Sequence, residues 1–191
     1  MASLLLELNA GQDIYEMSSK PANIVEIFLQ PGEYYFGDRH TRIRTLLGSC
    51  VAISLWHPKL LIGGMCHYLL PARAQAHPSV LSGKYADEAM HLLLGEIKRA
   101  NTQPKDYEVK MFGGGDMFPA VRNASWKQIG SKNAEAGHRL LSRHGLHFTA
   151  CDLGGVGHRN IIFDVWNGHV WVRKTSVRES TQNGHNEGEA K

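Results

Sequence analysis

Cys50 closes the run Thr45-Leu46-Leu47-Gly48-Ser49-Cys50, and His67 closes Gly63-Gly64-Met65-Cys66-His67. Between them Val51-Ala52-Ile53-Ser54-Leu55-Trp56 is almost wholly apolar. His57-Pro58-Lys59 then reads as a turn, because proline fixes its own φ and restricts the residue before it. Two strands joined there bring the ends of the segment back together and set a thiol beside an imidazole. That pair is the least apparatus needed for nucleophilic attack on a carbonyl or carboxamide. Gly48 permits a sharp bend just ahead of Cys50, so that backbone N–H groups turn toward one point and stabilise an oxyanion. An imidazolium at His67 would also depress the Cys50 thiol and favour the thiolate. Each residue has a plainer reading: Cys50 as a small hydrophobe after a tight turn, His67 as a hydrogen-bonded core histidine.

The remaining candidates are weaker. Cys66 adjoins His67, but neighbouring strand residues point to opposite faces, so Cys66 should face away from that base. Cys66 and Cys151 read as buried small side chains. His57, Cys66, His67 and His77 raise a metal site, yet their spacing matches no ligand pattern, and adjacent ligands on one strand diverge. No metal and no organic cofactor is expected. Gly113-Gly114-Gly115-Asp116 is neither a Walker A loop nor GxGxxG, and reads as close backbone approach in the core or at a pocket wall. Asp87 reads as a favourable charge at a helix N-terminus.

The elements that must position these groups follow from periodicity and turn chemistry. Ile24 to Leu29, Arg42 to Leu47, Val51 to Trp56 and Leu60 to Leu70 read as strands. Pro71 to Lys84 is a long loop. From Ala86 to Arg99, Ala86, Ala89, Met90, Leu93 and Ile97 fall on one helical face, with Lys98 and Arg99 at the end the dipole favours. Tyr107 to Phe112 is a strand running into the glycines. Lys132 to His144 is a second helix, with Ala136, Leu140 and Leu141 apolar and Gly145 as its stop. His147 to Leu153 is a strand. Asn160 to Trp166 and His169 to Lys174 form a hairpin about Asn167-Gly168, the favoured type I′ turn. Strands in this number with two helices make an α/β or α+β sandwich.

The 191 residues suit one domain with a sizeable core, and 42% hydrophobic with 20% charged residues is ordinary for a globular protein. A formal net charge of +3, with Lys and Arg scattered, argues against nucleic acid. Leu4-Leu5-Leu6 ends at Glu7, too short and without the basic leader of a signal peptide. No stretch approaches a membrane span. An odd count of three cysteines argues against a disulfide framework, and a cytoplasmic location is expected. Residues 1–22 read as a loosely ordered arm, 23–174 as the folded domain and 175–191 as a disordered polar tail. Deleting the residues after Lys174 is therefore expected to leave turnover nearly unchanged. A folded truncation with sharply reduced turnover would show that the tail serves the site or docks a partner.

Taken together these motifs resemble the CheD family of chemoreceptor glutamine deamidases. The resemblance rests on Thr45 to Ala52, Gly63 to Pro71, Gly83-Lys84-Tyr85-Ala86-Asp87, Phe112 to Phe118, Ile129-Gly130-Ser131-Lys132-Asn133 and Asp152-Leu153-Gly154-Gly155, in the family's order, and covers roughly Gly32 to Lys174. It implies an α/β single-domain three-layer sandwich with mixed β-sheets and two main helices. It implies Cys50 as nucleophile and His67 as its base. Its third site residue, a threonine shortly before the cysteine, falls on Thr45, with Arg44 the alternative at that place. It implies hydrolysis of glutamine side chains on the cytoplasmic helices of methyl-accepting chemotaxis receptors, with those receptors and a CheC-type phosphatase as partners. The competing function is a receptor- or phosphatase-binding adaptor with little catalysis, which ammonia release from a receptor fragment separates from the enzyme.

Overall fold

In the computed structural model, which describes residues 20–74, 80–117 and 128–175, the strand pattern at Thr41–Leu47 sets up the layers. Thr41, Ile43, Thr45 and Leu47 are buried, whereas Arg42, Arg44 and Leu46 are turned outward. That is the period of two expected of a strand with one face on a core. In chain order the elements are β1 (Val25–Phe28), β2 (Tyr34–Gly37), β3 (Thr41–Leu47), β4 (Val51–His57), β5 (Ile62–Tyr68), α1 (Ala86–Arg99), β6 (Glu108–Gly113), α2 (Ile129–Arg143), β7 (Phe148–Leu153), β8 (His158–Asp164) and β9 (His169–Thr175).

Two mixed sheets result, in the orders β1-β3-β8-β9 and β2-β5-β4-β6-β7. The β1–β3 and β6–β7 pairs are parallel and the others antiparallel. One core lies between the five-stranded sheet and the helices, built on Ile53, Leu55, Met90, Leu93, Val109 and Leu141. The other lies between the two sheets, built on Leu29, Ile43, Leu47, Met65, Ile161 and Phe163. The five-stranded sheet is thus the middle layer of three. β4 is covered on both faces, and so reads as a nearly continuous apolar run rather than an alternating one. On α1 the buried set includes Ala86, Ala89, Met90, Leu93 and Ile97, the face read from its periodicity. Among the described residues no helix is long and apolar enough to cross a membrane.

Four details differ from the sequence reading. β2 is a strand that the sequence did not announce: its Tyr34-Tyr35-Phe36 run has no polar alternation, and it exists through pairing with β5. The hairpin loop is four residues, Val165 to Gly168, rather than two, because β8 stops at Asp164. Tertiary packing overrides the Asn-Gly turn there: Val165 and Trp166 are buried, Trp56 Nε1 donates to the Val165 carbonyl at 2.8 Å, and Lys110 Nζ donates to the Gly168 carbonyl at 2.8 Å. Gly168 has φ +73° and lies flat against the Trp56 ring, where a Cβ would come within 2.3 Å of it. α2 begins at Ile129, three residues before the expected Lys132, with Gly130 packed against the Gly114 carbonyl. β9 includes Thr175, which pairs with His158, one residue past the expected strand end at Lys174. Most of the proposed arm and tail lies outside the described residues.

Candidate active site

β4 and β5 are antiparallel neighbours, and their register sets Ala52 opposite His67 and Val51 opposite Tyr68. Side chains of directly opposed residues share a face. Ala52 and Met65 belong to the core between the two sheets, and Cys50 packs at the edge of that core. His67 therefore faces the inter-sheet layer, and Cys50, two residues from Ala52, stands diagonal to it on the same face. Diagonal partners are about 7–8 Å apart at their backbones, within reach of long side chains. The expected hairpin has thus brought the two ends together. Cys66 belongs to the helix-side core, opposite His67, as strand alternation requires.

β3, in the other sheet, supplies the third group. Thr45 is fully buried, and its hydroxyl donates to the Leu29 carbonyl at 2.9 Å. The same oxygen lies 2.7 Å from His67 Nδ1. A hydroxyl has one proton. With that proton on the Leu29 carbonyl, the oxygen can only accept from Nδ1, so Nδ1 carries the ring proton and Nε2 holds a lone pair. Nε2 is buried and has no hydrogen-bond partner among the described residues. Leaving such an acceptor unpaired costs about 1–3 kcal/mol. An imidazole oriented at one nitrogen and open at the other is the resting form of a general base. Arg44 is turned to the opposite face of β3 and pairs with Glu26 at 2.8 Å, which removes it from this site.

The charges at rest differ from the thiolate–imidazolium pair expected from sequence. Burial pushes the His67 imidazole down to about 4, against smaller upward pulls from the Leu29 carbonyl and the Glu33 carboxylate. Burial also pushes the Cys50 thiol up, and its own backbone only partly offsets this. Both groups are neutral near pH 7. Cys66, fully enclosed, is pushed up to about 12 and is inert as a nucleophile.

That buried imidazole has a consequence for stability. The unfolded ring takes up a proton near its ordinary 6.5, the folded ring only near 4. Between those values the unfolded chain binds more protons, so stability falls as pH falls through this window. The loss at the bottom is on the order of 3 kcal/mol. Above the window the ring contributes no pH dependence. Urea unfolding between pH 4 and 7 is expected to show a steeper acid loss in the wild type than in His67→Ala. Parallel curves would mean that His67 is hydrated in the folded state.

Glycine loops back Cys50. Gly114 N–H donates to the Cys50 carbonyl at 2.8 Å and Gly115 N–H to the Gly48 carbonyl at 2.9 Å. Gly113 has φ +115°, and a Cβ there would sit 2.2 Å from the Cys50 carbonyl oxygen, so only glycine lets the chain pass so close. Asp116 N–H then donates to the Gly155 carbonyl at 2.7 Å, and Gly154 N–H to the Gly113 carbonyl at 2.9 Å. Arg159, nearly inaccessible to solvent, bonds Asp152 at 2.9 Å and the Gly154 carbonyl, tying this outer loop to β8. The glycine run read as close backbone approach is the wall behind Cys50.

The metal alternative finds no gathering of ligands. His57 stands at the far end of β4 with its ring edge-on to Tyr107, and Cys66 and His67 face opposite layers. His77 lies outside the described residues. Among the described residues no group of three His, Cys, Asp or Glu side chains is placed to hold an ion.

Two contributors went unread in the sequence. The Leu29 carbonyl leaves no trace in side-chain pattern. Asn133 does: it shares the buried face of α2 with Ala136, Gly137, Leu140 and Leu141, at helical spacing. A polar residue on an apolar stripe is the signal that marks it.

The family described as CheD chemotactic sensory transduction matches residues 69–174. That span begins after Cys50 and His67 and so does not include them. Curated proteins align across the site as well. One named "Probable chemoreceptor glutamine deamidase CheD", from Pseudomonas fluorescens (strain SBW25), is 52% identical over 155 residues, 81% of this chain and 87% of that protein. Another of the same name, from Pseudomonas savastanoi pv. phaseolicola (strain 1448A / Race 6), is 53% identical over 80% of this chain and 86% of its own length. "Probable chemoreceptor glutamine deamidase CheD 1" of Chromobacterium violaceum is 41% identical over 92% of each chain.

Proposed function

The chain belongs to the CheD family, and from that premise we propose that it hydrolyses glutamine side chains on the cytoplasmic helices of chemoreceptors to glutamate and ammonia. The observation that carries this reading is the His67 ring, held by Thr45 at Nδ1, with an unprotonated Nε2 that has no partner among the described residues, on the same sheet face as Cys50.

The chemistry follows from those atoms. The carboxamide carbon accepts the Cys50 sulfur while the thiol proton passes to His67 Nε2. The oxyanion formed takes hydrogen bonds from backbone N–H groups of the bend at Gly48-Ser49-Cys50. Nε2 returns its proton to the nitrogen, the C–N bond breaks, and ammonia leaves a thioester on Cys50. Water then attacks the thioester, giving a proton to Nε2. Collapse expels the sulfur, which recovers that proton, and glutamate is released. Thr45 accepts from Nδ1–H in both the neutral and the protonated ring, so the hydrogen bond survives every step. A neutral hydroxyl, unlike a carboxylate, does not raise the ring's basicity electrostatically. No step calls for a metal or an organic cofactor.

Chemoreceptors are then the substrate partner, and the work is done in the cytoplasm. A CheC-type phosphatase is proposed as a second partner on the family resemblance alone. Each turnover changes a neutral receptor residue to an anionic one, which alters repulsion between packed helices and biases signalling. The test is mass spectrometry of receptor cytoplasmic fragments incubated with the wild-type protein, with ammonia assayed in parallel. Conversion of specific glutamines is expected. Tight binding to the fragment without ammonia release would make the protein a docking module instead.

A further inference from the structure

β4 and β5 stop pairing at Val51 opposite Tyr68, and the two groups proposed to react straddle that last rung. Cys50 lies one residue outside it and His67 one residue inside. Beyond it, no backbone ladder between the two strands fixes their separation. Their carbonyls there, from Ser49 and Leu69, instead meet one nitrogen: Asn133 Nδ2 donates to Ser49 O at 3.1 Å and to Leu69 O at 2.7 Å. Asn133 is fully buried, on the first turns of α2. Tyr68, on the last rung itself, donates its hydroxyl to the main-chain carbonyl of Asn133 at 2.8 Å. The remaining polar atom, Asn133 Oδ1, is buried with no partner among the described residues.

Packing alone does not account for an asparagine here. Its neighbours on the face are alanine, glycine and leucine, and a buried amide oxygen left unpaired costs stability that an apolar side chain would not. What the amide supplies is two N–H bonds in fixed geometry, one to each strand end. We propose that Asn133 is a positioning residue for the reaction: its side-chain amide is the rung that β4 and β5 lack beyond Val51 and Tyr68, and it sets the separation of Cys50 from His67. The proposal rests on the Cys50–His67 reading above and deepens it. Asn133 acts through Ser49 and Leu69, not on the substrate.

Two substitutions in the full-length protein separate geometry from bulk. Asn133→Ala removes the side chain, and Asn133→Asp keeps its shape but has no N–H to donate. Both are expected to lower kcat about 10- to 100-fold, the usual effect of misplacing a reacting group. KM for a receptor fragment should stay within about two-fold, since ground-state binding is untouched. Alkylation of Cys50 by iodoacetamide near pH 7 should fall toward the rate seen in His67→Ala. Added to His67→Ala, neither substitution should slow it much further, because the two act on one pair. A merely structural role would lower the melting temperature and leave the alkylation rate of the folded protein unchanged. Folded Asn133 variants with wild-type kcat, or effects that add fully to His67→Ala, overturn the proposal. Should neither variant fold, Tyr68→Phe decides, since it removes the hydroxyl that fixes the Asn133 main chain and so loosens the base from which the amide reaches Ser49 and Leu69. Several-fold loss of kcat supports the proposal, and wild-type kcat overturns it. If Cys50 alkylation in the otherwise wild-type protein ignores His67→Ala, the catalytic pair itself fails and this proposal with it.

Discussion

Cys50→Ala is expected to abolish deamidation of a receptor fragment while leaving the fold in place. Loss of a nucleophile that acts with its base as a unit costs kcat on the order of 10⁶, which is below detection for a slow protein substrate. The fold should survive because Cys50 is only partly buried, at the edge of the inter-sheet core, and alanine removes a single sulfur. The other thiols are the internal control. Cys66 faces the helices, away from His67, and Cys151, expected from the sequence to be buried, is instead exposed on β7. Alanine at Cys151 should leave turnover unchanged. Alanine at Cys66 should cost some stability through the small cavity it opens, but little activity once folded. Ammonia release and fragment mass, each normalised to folded protein, make the measurement. A Cys50→Ala protein that still turns over at the wild-type rate would remove Cys50 from the mechanism. An inactive but well-folded Cys66→Ala would transfer the role.

How much of this was legible beforehand depends on how far apart the partners are in sequence. His67 lies on β5 and Cys50 just before β4, its neighbour across a short turn, so local patterning alone predicts that these two ends of the hairpin meet. The burial of Met90, Leu93 and Ile97 on α1 was legible for the same reason, since helical period is a local property. Thr45 is different. It lies in the other sheet, and its contact with His67 exists only because two sheets stack, so the residues themselves do not announce it and only the family resemblance pointed there. β2 and the four-residue loop after β8 were missed because both are decided by what they pack against: β5 for one, Trp56 and Lys110 for the other. The resting charges were misjudged for a related reason. Composition shows a thiol and an imidazole, but not that the ring is buried and the thiol partly so, and desolvation outweighs the pull of the nearby Glu33 carboxylate on the ring.

His67→Ala is expected to lower kcat by about 10²–10⁴, the usual worth of a general acid–base group. The larger end of that range is favoured by the neutral resting pair. Since burial pushes the Cys50 thiol up rather than down, little thiolate exists near pH 7 without a base to take the proton. Iodoacetamide should therefore modify Cys50 more slowly in His67→Ala than in the wild type at neutral pH, and the two should converge at alkaline pH, where hydroxide does the same work. Thr45→Val keeps the shape of the side chain but deletes the hydroxyl against Nδ1. It should cost less than His67→Ala, because the ring remains and only its orientation is loosened. The pH profile then tests the environment of the ring directly. kcat/KM reports the free enzyme, in which His67 titrates at about 4 rather than 6.5. The base form is the active one, so activity should hold level as pH falls through 6.5 and decline only toward the lower value. Thermal melts at each pH separate this limb from unfolding, since the same ring drives both. A limb centred near 6.5 in folded protein would show a solvated imidazole, and a base held dry between the sheets would be the wrong mechanism.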